Sequence, residues 1–344
     1  MLEMVSEMQQ ILTKLNKDMK HLLEINNLDV KFDTDEGRIT AIENVSLSLD
    51  QGKVLGIVGE SGSGKSVTAK SIMQLNPGNT IYNDNAEIII DEENVLKFSS
   101  KNDLKKIRGG KVSMIFQEPM ASFAPAIKIG HQMVEQLLLH KSLNKKEAKS
   151  ISIDMLNRVG IADAEKRFNQ YAFELSGGMR QRAMIAMALS TMPKLLLADE
   201  PTTALDVTIQ AQVINLIKDI IKEYNMGVIF ITHDLGVIAQ VADDVAVMYL
   251  GSIVEKGPVN EILKNPKHPY TKGLLNALPD INNLDAPLMP IPGNIPSPLD
   301  RPSACVFRTR CPNPAHDCKE GNIDMGLIEI SPEHWVDQCC VNCN

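Results

Sequence analysis

The sequence predicts an α/β fold in which a phosphate-binding loop joins a buried strand to a helix. Residues 59–66, GESGSGKS, match the phosphate-binding pattern G-x-x-x-x-G-K-[ST]. The apolar run 54–58 before the loop is short and branched, as in a buried strand, and residues 66–75 after it have helical character. Strand, glycine-rich loop and helix therefore occur in the order that a nucleotide phosphate site requires.

The residue types of the loop suit phosphate chemistry. Backbone N–H groups and the helix N-terminus are expected to face an anion. Lys65 is expected to reach the β- and γ-phosphates, and the Ser66 hydroxyl to ligate Mg²⁺. The predicted nucleotide-binding residues here are Gly59, Ser61, Gly62, Ser63, Gly64, Lys65, Ser66 and Val67.

Composition narrows the class of protein. The 344 residues are 44% hydrophobic and 23% charged, as in an ordinary globular chain with room for two or more domains. The net charge of -8 gives a general nucleic-acid-binding role no electrostatic support. No apolar run is long enough to cross a bilayer and no secretory signal opens the chain, so we expect a cytosolic protein. Other subunits would do any membrane crossing.

The segments on either side of the phosphate loop predict a possible N-terminal helix and several antiparallel strands. Residues 1–18 can form an amphipathic helix, or they are an upstream extension before a natural start at Met19. From residue 21 to 49, alternating apolar runs predict antiparallel strands with a turn near 35–37, and another strand is expected at 88–90.

The remainder of the chain changes character twice. Helix-like spacing at 131–140, 145–159 and 179–190 predicts a helical subdomain over about residues 118–192. Beyond about residue 264, prolines cluster and regular periodicity fades. We therefore expect a nucleotide-binding domain over 19–264 and a small, irregular, proline-rich extension that contains cysteines over 265–344.

Four polar side chains follow three further apolar runs. Gln117 follows the run 112–116, Asp199 and Glu200 follow 195–198, and His233 follows 228–232. In open α/β sheets, ligands bind outside the carboxyl ends of the strands, so these groups should line the same crevice as the phosphate loop.

The types of these four side chains suit phosphoryl transfer. Asp199 is expected to hold Mg²⁺, and Glu200 to orient the attacking water and accept its proton. Gln117 is expected to contact Mg²⁺ or the water, and His233 to hydrogen-bond the γ-phosphate. Together they predict one composite hydrolytic site.

Residues 175–182, LSGGMRQR, resemble the signature sequence of ABC-transporter ATPases. The resemblance spans about residues 20–265 and includes the phosphate loop, Gln117, LLLADE, the loop 204–206 and His233. It implies an ABC ATPase core with an N-terminal antiparallel β subdomain and an inserted helical subdomain. It further implies that Phe32 stacks on adenine. The signature of one subunit, with Ser176, Gly177 and Gly178, would close over the phosphate loop of a second subunit, and Asp206 would contribute to nucleotide binding.

Within that family the chain is similar to the ATP-binding subunits of dipeptide and oligopeptide importers. The similar segments are GESGSGKSVTA, MIFQEPMASFAP, DEPTTALDVTIQAQ and NPKHPYT at 265–271. The resemblance implies two transmembrane permease subunits, a second ATPase subunit that is identical or similar, and an extracellular peptide-binding protein acting indirectly. It places the chain peripherally on the cytoplasmic face of the membrane.

Two other functions remain open from the sequence. An importer of nickel or another small solute would use the same kind of subunit, because this subunit does not touch the cargo. A soluble ABC ATPase acting on nucleic acid or ribosomes is disfavoured by the acidic charge and by the lack of a second cassette or a long coiled coil.

All six cysteines follow residue 304, and this clustering indicates that they serve one local site. In a reducing cytosol, metal ligation is favoured over disulfides. The gaps between the first three are wider than zinc knuckles, and a proline follows the second, so we expect a [4Fe–4S] site. Zinc, with His316 or His334, and a site without metal are the alternatives. Its expected role is to fold the extension. The predicted cluster ligands are Cys305, Cys311, Cys318 and one of the last three cysteines, Cys339, Cys340 or Cys343, of which Cys339 is preferred.

Overall fold

The structure is a computed structural model that describes residues 21–202, 207–278, 289–314 and 326–340. Three groups of predictions lie outside the described residues: the segment 1–18, Asp206 with its loop, and the candidate ligands Cys318, Cys343 and His316.

An antiparallel sheet forms the N-terminal part of the described chain. Strands β1 (Leu23–Thr34) and β2 (Gly37–Leu49) form a hairpin whose register runs from Leu23 opposite Leu49 to Thr34 opposite Gly37. This confirms the alternating strands and the turn near 35–37. Strands β4 (Thr80–Tyr82) and β5 (Glu87–Ile90) pair with β1, and β6 (Glu93–Asn94) pairs with β5.

A second sheet carries the phosphate loop. Its order is β12-β13-β11-β10-β3-β9-β8-β7, and β7, β8, β9, β3 and β10 run parallel. All residues of β3, β8 and β9 are buried, which explains their unbroken apolar sequences. The strands are β3 (Val54–Val58), β7 (Val112–Ile115), β8 (Leu195–Asp199), β9 (Gly227–Ile231), β10 (Asp244–Tyr249), β11 (Ser252–Pro258), β12 (Leu327–Ser331) and β13 (His334–Asp337).

The four helical segments that the sequence predicts are present, with small shifts at their ends, and further helices were not predicted. Asn144 opens α5 with a capping box to Glu147, and Ser176 accepts a hydrogen bond from the Met179 N–H at the start of α7. The helices are α1 (Lys65–Ile72), α2 (Lys101–Ile107), α3 (Pro119–Ser122), α4 (Ile129–His140), α5 (Lys145–Arg158), α6 (Ala164–Phe168), α7 (Gly177–Ser190), α8 (Val207–Tyr224), α9 (Leu235–Val241), α10 (Val259–Lys264) and α11 (Pro269–Asn276). None of the described helices combines the length and apolarity that a bilayer crossing needs.

The C-terminal extension is more regular than its sequence suggests. Strands β12 and β13 form a hairpin, and β13 pairs with β11, so the extension continues the main sheet. The buried carboxylate of Glu255 on β11 accepts hydrogen bonds from the backbone N–H groups of Lys267 and His268, and His334 of β13 contacts it at 2.8 Å. The hairpin and its pairing could not be predicted from the weak periodicity of the extension, because β11, the strand with which the hairpin pairs, precedes the extension in the sequence.

Candidate nucleotide-binding site

The phosphate loop requires glycine at two positions for different reasons. A Cβ on Gly59 would lie 2.1 Å from the carbonyl oxygen of Met248, so the close approach of two backbones excludes any side chain. Gly64 caps α1 with φ of 101°, a conformation that side chains rarely adopt. The glycines that define the motif therefore let the loop curl tightly against β10.

Lys65 lies at the centre of the curled loop. Its ammonium donates to the carbonyl oxygens of Gly59 at 2.7 Å and Glu60 at 2.8 Å. The side chain is buried, and burial lowers the pKa of its amine, while the carboxylates of Glu200 and Asp199 oppose that effect. A phosphate would bring negative charge to a desolvated cation.

Two of the three predicted magnesium ligands, Ser66 at the start of α1 and Asp199 at the end of β8, come together, whereas Gln117 contacts Glu200. The Ser66 hydroxyl donates to Asp199 Oδ1 at 3.1 Å, and Asp199 is almost completely buried. Burial raises the pKa of this carboxyl, the Ser66 hydrogen bond lowers it, and the Glu200 charge raises it further. A hydroxyl oxygen beside a carboxylate is an oxygen-donor pair that fits Mg²⁺.

The three predicted catalytic side chains also meet. The Gln117 amide donates to Glu200 Oε2 at 3.1 Å, and His233 Nδ1 lies 3.3 Å from Glu200 Oε1. Glu200 itself adopts a positive φ of 48° at the end of β8, an uncommon conformation for a residue with a side chain. Glu200 is thus held between groups from β7 and β9.

A cavity of about 250 Å³ opens beside the loop. Phe32 of β1 lies on its wall together with loop residues, Gln117 and Glu200. Leu250 and Pro298 line it as well, and neither was predicted from the sequence. Pro298 comes from the C-terminal extension, where the proline-rich composition carries no signal for a nucleotide contact. The lining residues are Phe32, Ile39, Thr40, Ala41, Ser61, Gly62, Ser63, Gly64, Lys65, Ser66, Val67, Gln117, Glu200, Leu250 and Pro298.

The signature residues stand apart from this cavity. Ser176 and Gly177 are exposed at the start of α7, and neither they nor Gly178 belong to the lining. The predicted closure of the site by a second subunit requires such an exposed position, since a signature within its own cavity could not reach another subunit.

Replacing Phe32 by Ala is expected to weaken binding of an adenine nucleotide about tenfold. Base–aromatic stacking is worth about 1–3 kcal/mol per base, and the ring lies on the cavity wall. Phe32→Tyr keeps the aromatic face and should bind like the original protein. Titration of a fluorescent ATP analogue measures this, and thermal unfolding shows whether packing also suffers, because Phe32 contacts the core under the antiparallel sheet. Equal affinities for Ala and Tyr would exclude stacking.

Several of the cysteines gather at a second location. Cys339 donates a hydrogen bond to the sulfur of Cys305 at 3.4 Å, and its sulfur lies 3.6 Å from that of Cys340. Cys311 lines the same small cavity as these three. We call these four residues the thiol cluster.

A buried carboxyl adjoins the thiol cluster. Asp337 lies with Cys305 and Cys339 in a group whose ligand atoms are within 4.8 Å of one another. Burial raises the pKa of Asp337 to about 7, and Asp337 Oδ1 has no hydrogen-bond partner among the described residues. The Cys339 hydrogen bond and burial raise the pKa of Cys305. His334, a zinc alternative, instead contacts Glu255.

Comparisons with known proteins agree with this architecture. The sequence model of the ABC transporter family matches residues 42–203, and that of the oligopeptide/dipeptide transporter C-terminal region matches residues 254–318. An oligopeptide transport ATP-binding protein of Bacillus subtilis is 47% identical over 87% of this chain and 91% of the relative. A dipeptide transport ATP-binding protein of Lactococcus lactis is 46% identical over 92% of this chain and 89% of the relative.

Solved structures are similar over the ATPase core. An ATP-binding cassette solved as a dimer in a post-hydrolysis state with ADP and Pi superposes with a TM-score of 0.63 at 26% identity, covering 69% of this chain and 98% of that one. The fold is therefore that of an ABC-type ATPase. With the identities above, the chain belongs to the ATP-binding proteins of the oligopeptide and dipeptide ABC transporters.

Proposed function

We propose that the chain is the ATP-binding and ATP-hydrolysing subunit that powers uptake of dipeptides or oligopeptides through two membrane permease subunits. The observation that carries this is its similarity, at 46–49% identity over most of the chain, to proteins named for oligopeptide or dipeptide transport. It includes the C-terminal region as well as the ATPase core. The proposed location is the cytoplasmic face of the membrane, without a nucleic-acid partner.

The same proposal covers the division of the chain. Helices α3 to α7 lie within the proposed helical subdomain of about 118–192. The proposed ATPase domain, 19–264, ends at α10, and the extension 265–344 begins with the segment held by Glu255. Segment 1–18 remains without a proposed function.

ATP is proposed to bind with its phosphates on the loop and its base against Phe32. Lys65 would exchange its loop carbonyl acceptors for phosphate oxygens. Ser66 and Asp199, with Gln117, would hold Mg²⁺, which neutralises charge that develops during phosphoryl transfer.

Hydrolysis is assigned to the group around Glu200. Its carboxylate would orient water and accept the proton, and Gln117, which donates to it at 3.1 Å, holds it in place. His233 would hydrogen-bond the γ-phosphate from the other side of Glu200. This arrangement uses the contacts already present between the ends of three strands.

Two ATPase subunits are proposed to share each ATP. Ser176, Gly177 and Gly178 would lie over the phosphates on the partner, where the N-terminus of the 14-residue helix α7 favours an anion. Asp206 belongs to the same proposal. Closing on ATP would drive the permease subunits to release peptide inward, and hydrolysis would reopen the pair.

Isolation of the complex from membranes tests the function directly. We expect two hydrophobic permease subunits to accompany the chain, and di- or oligopeptides delivered by an extracellular binding protein to stimulate ATP hydrolysis by the reconstituted complex. Stimulation by nickel instead of peptides would reassign the cargo. Co-purification with nucleic acid or ribosomes in place of permeases would contradict transport.

The thiol cluster is proposed to be a metal site that folds the extension. Sulfur atoms 3.4 and 3.6 Å apart beside an unpartnered carboxylate oxygen are a donor set for a thiophilic metal. The form we propose is an iron–sulfur cluster on Cys305, Cys311, Cys318 and Cys339, with zinc as the alternative. Because the Cys305 thiol has a raised pKa, metal binding must displace protons.

Anaerobically purified protein is expected to be coloured and to contain iron and acid-labile sulfide. Cys339→Ser should lose the metal, because Cys339 lies between Cys305 and Cys340, whereas Cys340→Ser should retain most of it. Elemental analysis with visible absorption measures both variants. Colourless protein that contains zinc would show that the site binds zinc and not an iron–sulfur cluster. Metal-free protein in which all thiols are reactive would contradict a metal site.

A further inference from the structure

The second residue of the phosphate loop, Glu60, is held by the C-terminal extension. Arg310 donates to Glu60 Oε2 at 2.7 Å and to Oε1 at 3.3 Å, so the guanidinium binds both carboxylate oxygens. The hydroxyl of Tyr270 accepts a hydrogen bond from the Glu60 backbone N–H at 2.8 Å. Side chain and backbone of one loop residue are thus bound to two points of a segment more than 200 residues away.

Arg310 and Tyr270 are both buried, whereas the Glu60 side chain between them and the loop is 31% exposed. The Arg310 side chain is only 3% exposed, and it also donates to the carbonyl oxygens of Ile291 and Pro292. Tyr270 is fully buried, and its ring packs against Tyr249 of β10 at 4.7 Å between centroids. A bidentate pair between a buried guanidinium and a partly exposed carboxylate fixes the position of the carboxylate better than a pair between two exposed side chains.

Glu60 also connects this anchor to Lys65. Its carbonyl oxygen accepts a hydrogen bond from the Lys65 ammonium at 2.8 Å, next to the Gly59 carbonyl. A shift of Glu60 would therefore move one of the acceptors that position Lys65. The chain of contacts runs from the extension through one loop residue to the cation that meets the phosphates.

We infer that Arg310 and Tyr270 are positioning residues of the ATP site, through which the C-terminal extension holds the phosphate loop ready for nucleotide. A loop that is already held in its binding conformation loses less conformational freedom when ATP binds. Arg310 and Tyr270 are therefore expected to increase the affinity for ATP. Neither residue lines the cavity beside the loop. The inference rests on the proposed binding of ATP at this loop.

A set of conservative variants in the full-length chain tests this. Arg310→Met keeps an unbranched apolar stem and removes the guanidinium with its ion pair. Glu60→Gln weakens the pair from the loop side, and Tyr270→Phe removes only the hydroxyl. We expect the Kd for Mg-ATP to rise about tenfold in Arg310→Met and Glu60→Gln and about threefold in Tyr270→Phe. The kcat at saturating ATP should change less than twofold. The double variant Arg310→Met/Glu60→Gln should be no weaker than the weaker single variant, since both remove one interaction.

A second Arg–Glu–Tyr group in the same chain supplies the matched control. Arg158 contacts Glu223 and the hydroxyl of Tyr224 between α5 and α8, away from the loop. Arg158→Met should lose an ion pair and leave the Kd for Mg-ATP unchanged.

The outcomes separate positioning from simple stabilisation. Lower thermal stability of Arg310→Met with an unchanged Kd would overturn the inference, as would fully additive effects in the double variant. If Arg310→Met does not fold, an unchanged Kd in both Glu60→Gln and Tyr270→Phe would overturn it equally. Failure of the original protein to bind Mg-ATP would instead contradict the proposed function.

Discussion

A Glu200→Gln variant is expected to hydrolyse ATP at least about 100-fold more slowly while it still binds Mg-ATP. General acid–base catalysis contributes about 10²–10⁴-fold, and a glutamine amide cannot accept the proton of the attacking water. Glutamine preserves the size of the side chain and an oxygen acceptor for Gln117, which now donates to Glu200 at 3.1 Å. Phosphate release measured at saturating ATP, together with nucleotide titration, separates turnover from binding.

The assembly state of the same variant carries further information. If two subunits share each ATP, slow hydrolysis should trap an ATP-bound dimer, visible by light scattering in the presence of Mg-ATP. Glu165→Gln is the matched control, because Glu165 is exposed on α6 and does not line the cavity. Turnover by Glu200→Gln equal to that of the control would contradict the assignment of Glu200 as the base.

The core of the candidate site could be predicted because its residues belong to short sequence motifs or directly follow buried strands. The loop motif follows a buried strand, and Asp199 and Glu200 end another. The rule that ligands bind at the carboxyl ends of parallel strands then brings distant segments to one edge without knowledge of the strand order. The structure places Ser66 against Asp199, and Gln117 and His233 against Glu200.

The contribution of the extension could not be predicted in this way. Arg310 and Glu60 are 250 positions apart, and neither belongs to a periodic pattern. Pro298 reaches the cavity from a segment whose composition indicates only a loop. Such contacts depend on how residues 289–314 pack against the phosphate loop and the cavity beside it, a tertiary arrangement that single-sequence periodicity does not contain.

The cysteines show an intermediate case. Their clustering in the sequence predicts a shared site, and four of them do line one cavity. Cys339 was the preferred ligand among the last three cysteines, and in the structure its sulfur lies 3.6 Å from that of Cys340. The chemistry of a bound metal depends on ligand geometry and supply, which spacing alone does not fix.

A Lys65→Met variant is expected to bind Mg-ATP at least about tenfold more weakly, with hydrolysis lost at cellular ATP concentrations. A hydrogen bond to a charged group is worth about 1.5–3 kcal/mol, and each 1.4 kcal/mol is a factor of about ten in affinity. Methionine fills the space of the buried lysine stem, so the fold should persist. Isothermal titration measures the affinity, and thermal unfolding verifies the fold.

Lys70→Met provides the control for Lys65→Met, since Lys70 is exposed on the same helix and its loss changes the net charge equally. The control should bind Mg-ATP as the original protein does. Equal weakening in both variants would mean that general charge rather than the buried ammonium attracts the nucleotide. Because Lys65→Met is expected to lose binding and Glu200→Gln to lose turnover, the two variants divide the site into a half that holds ATP and a half that cleaves it.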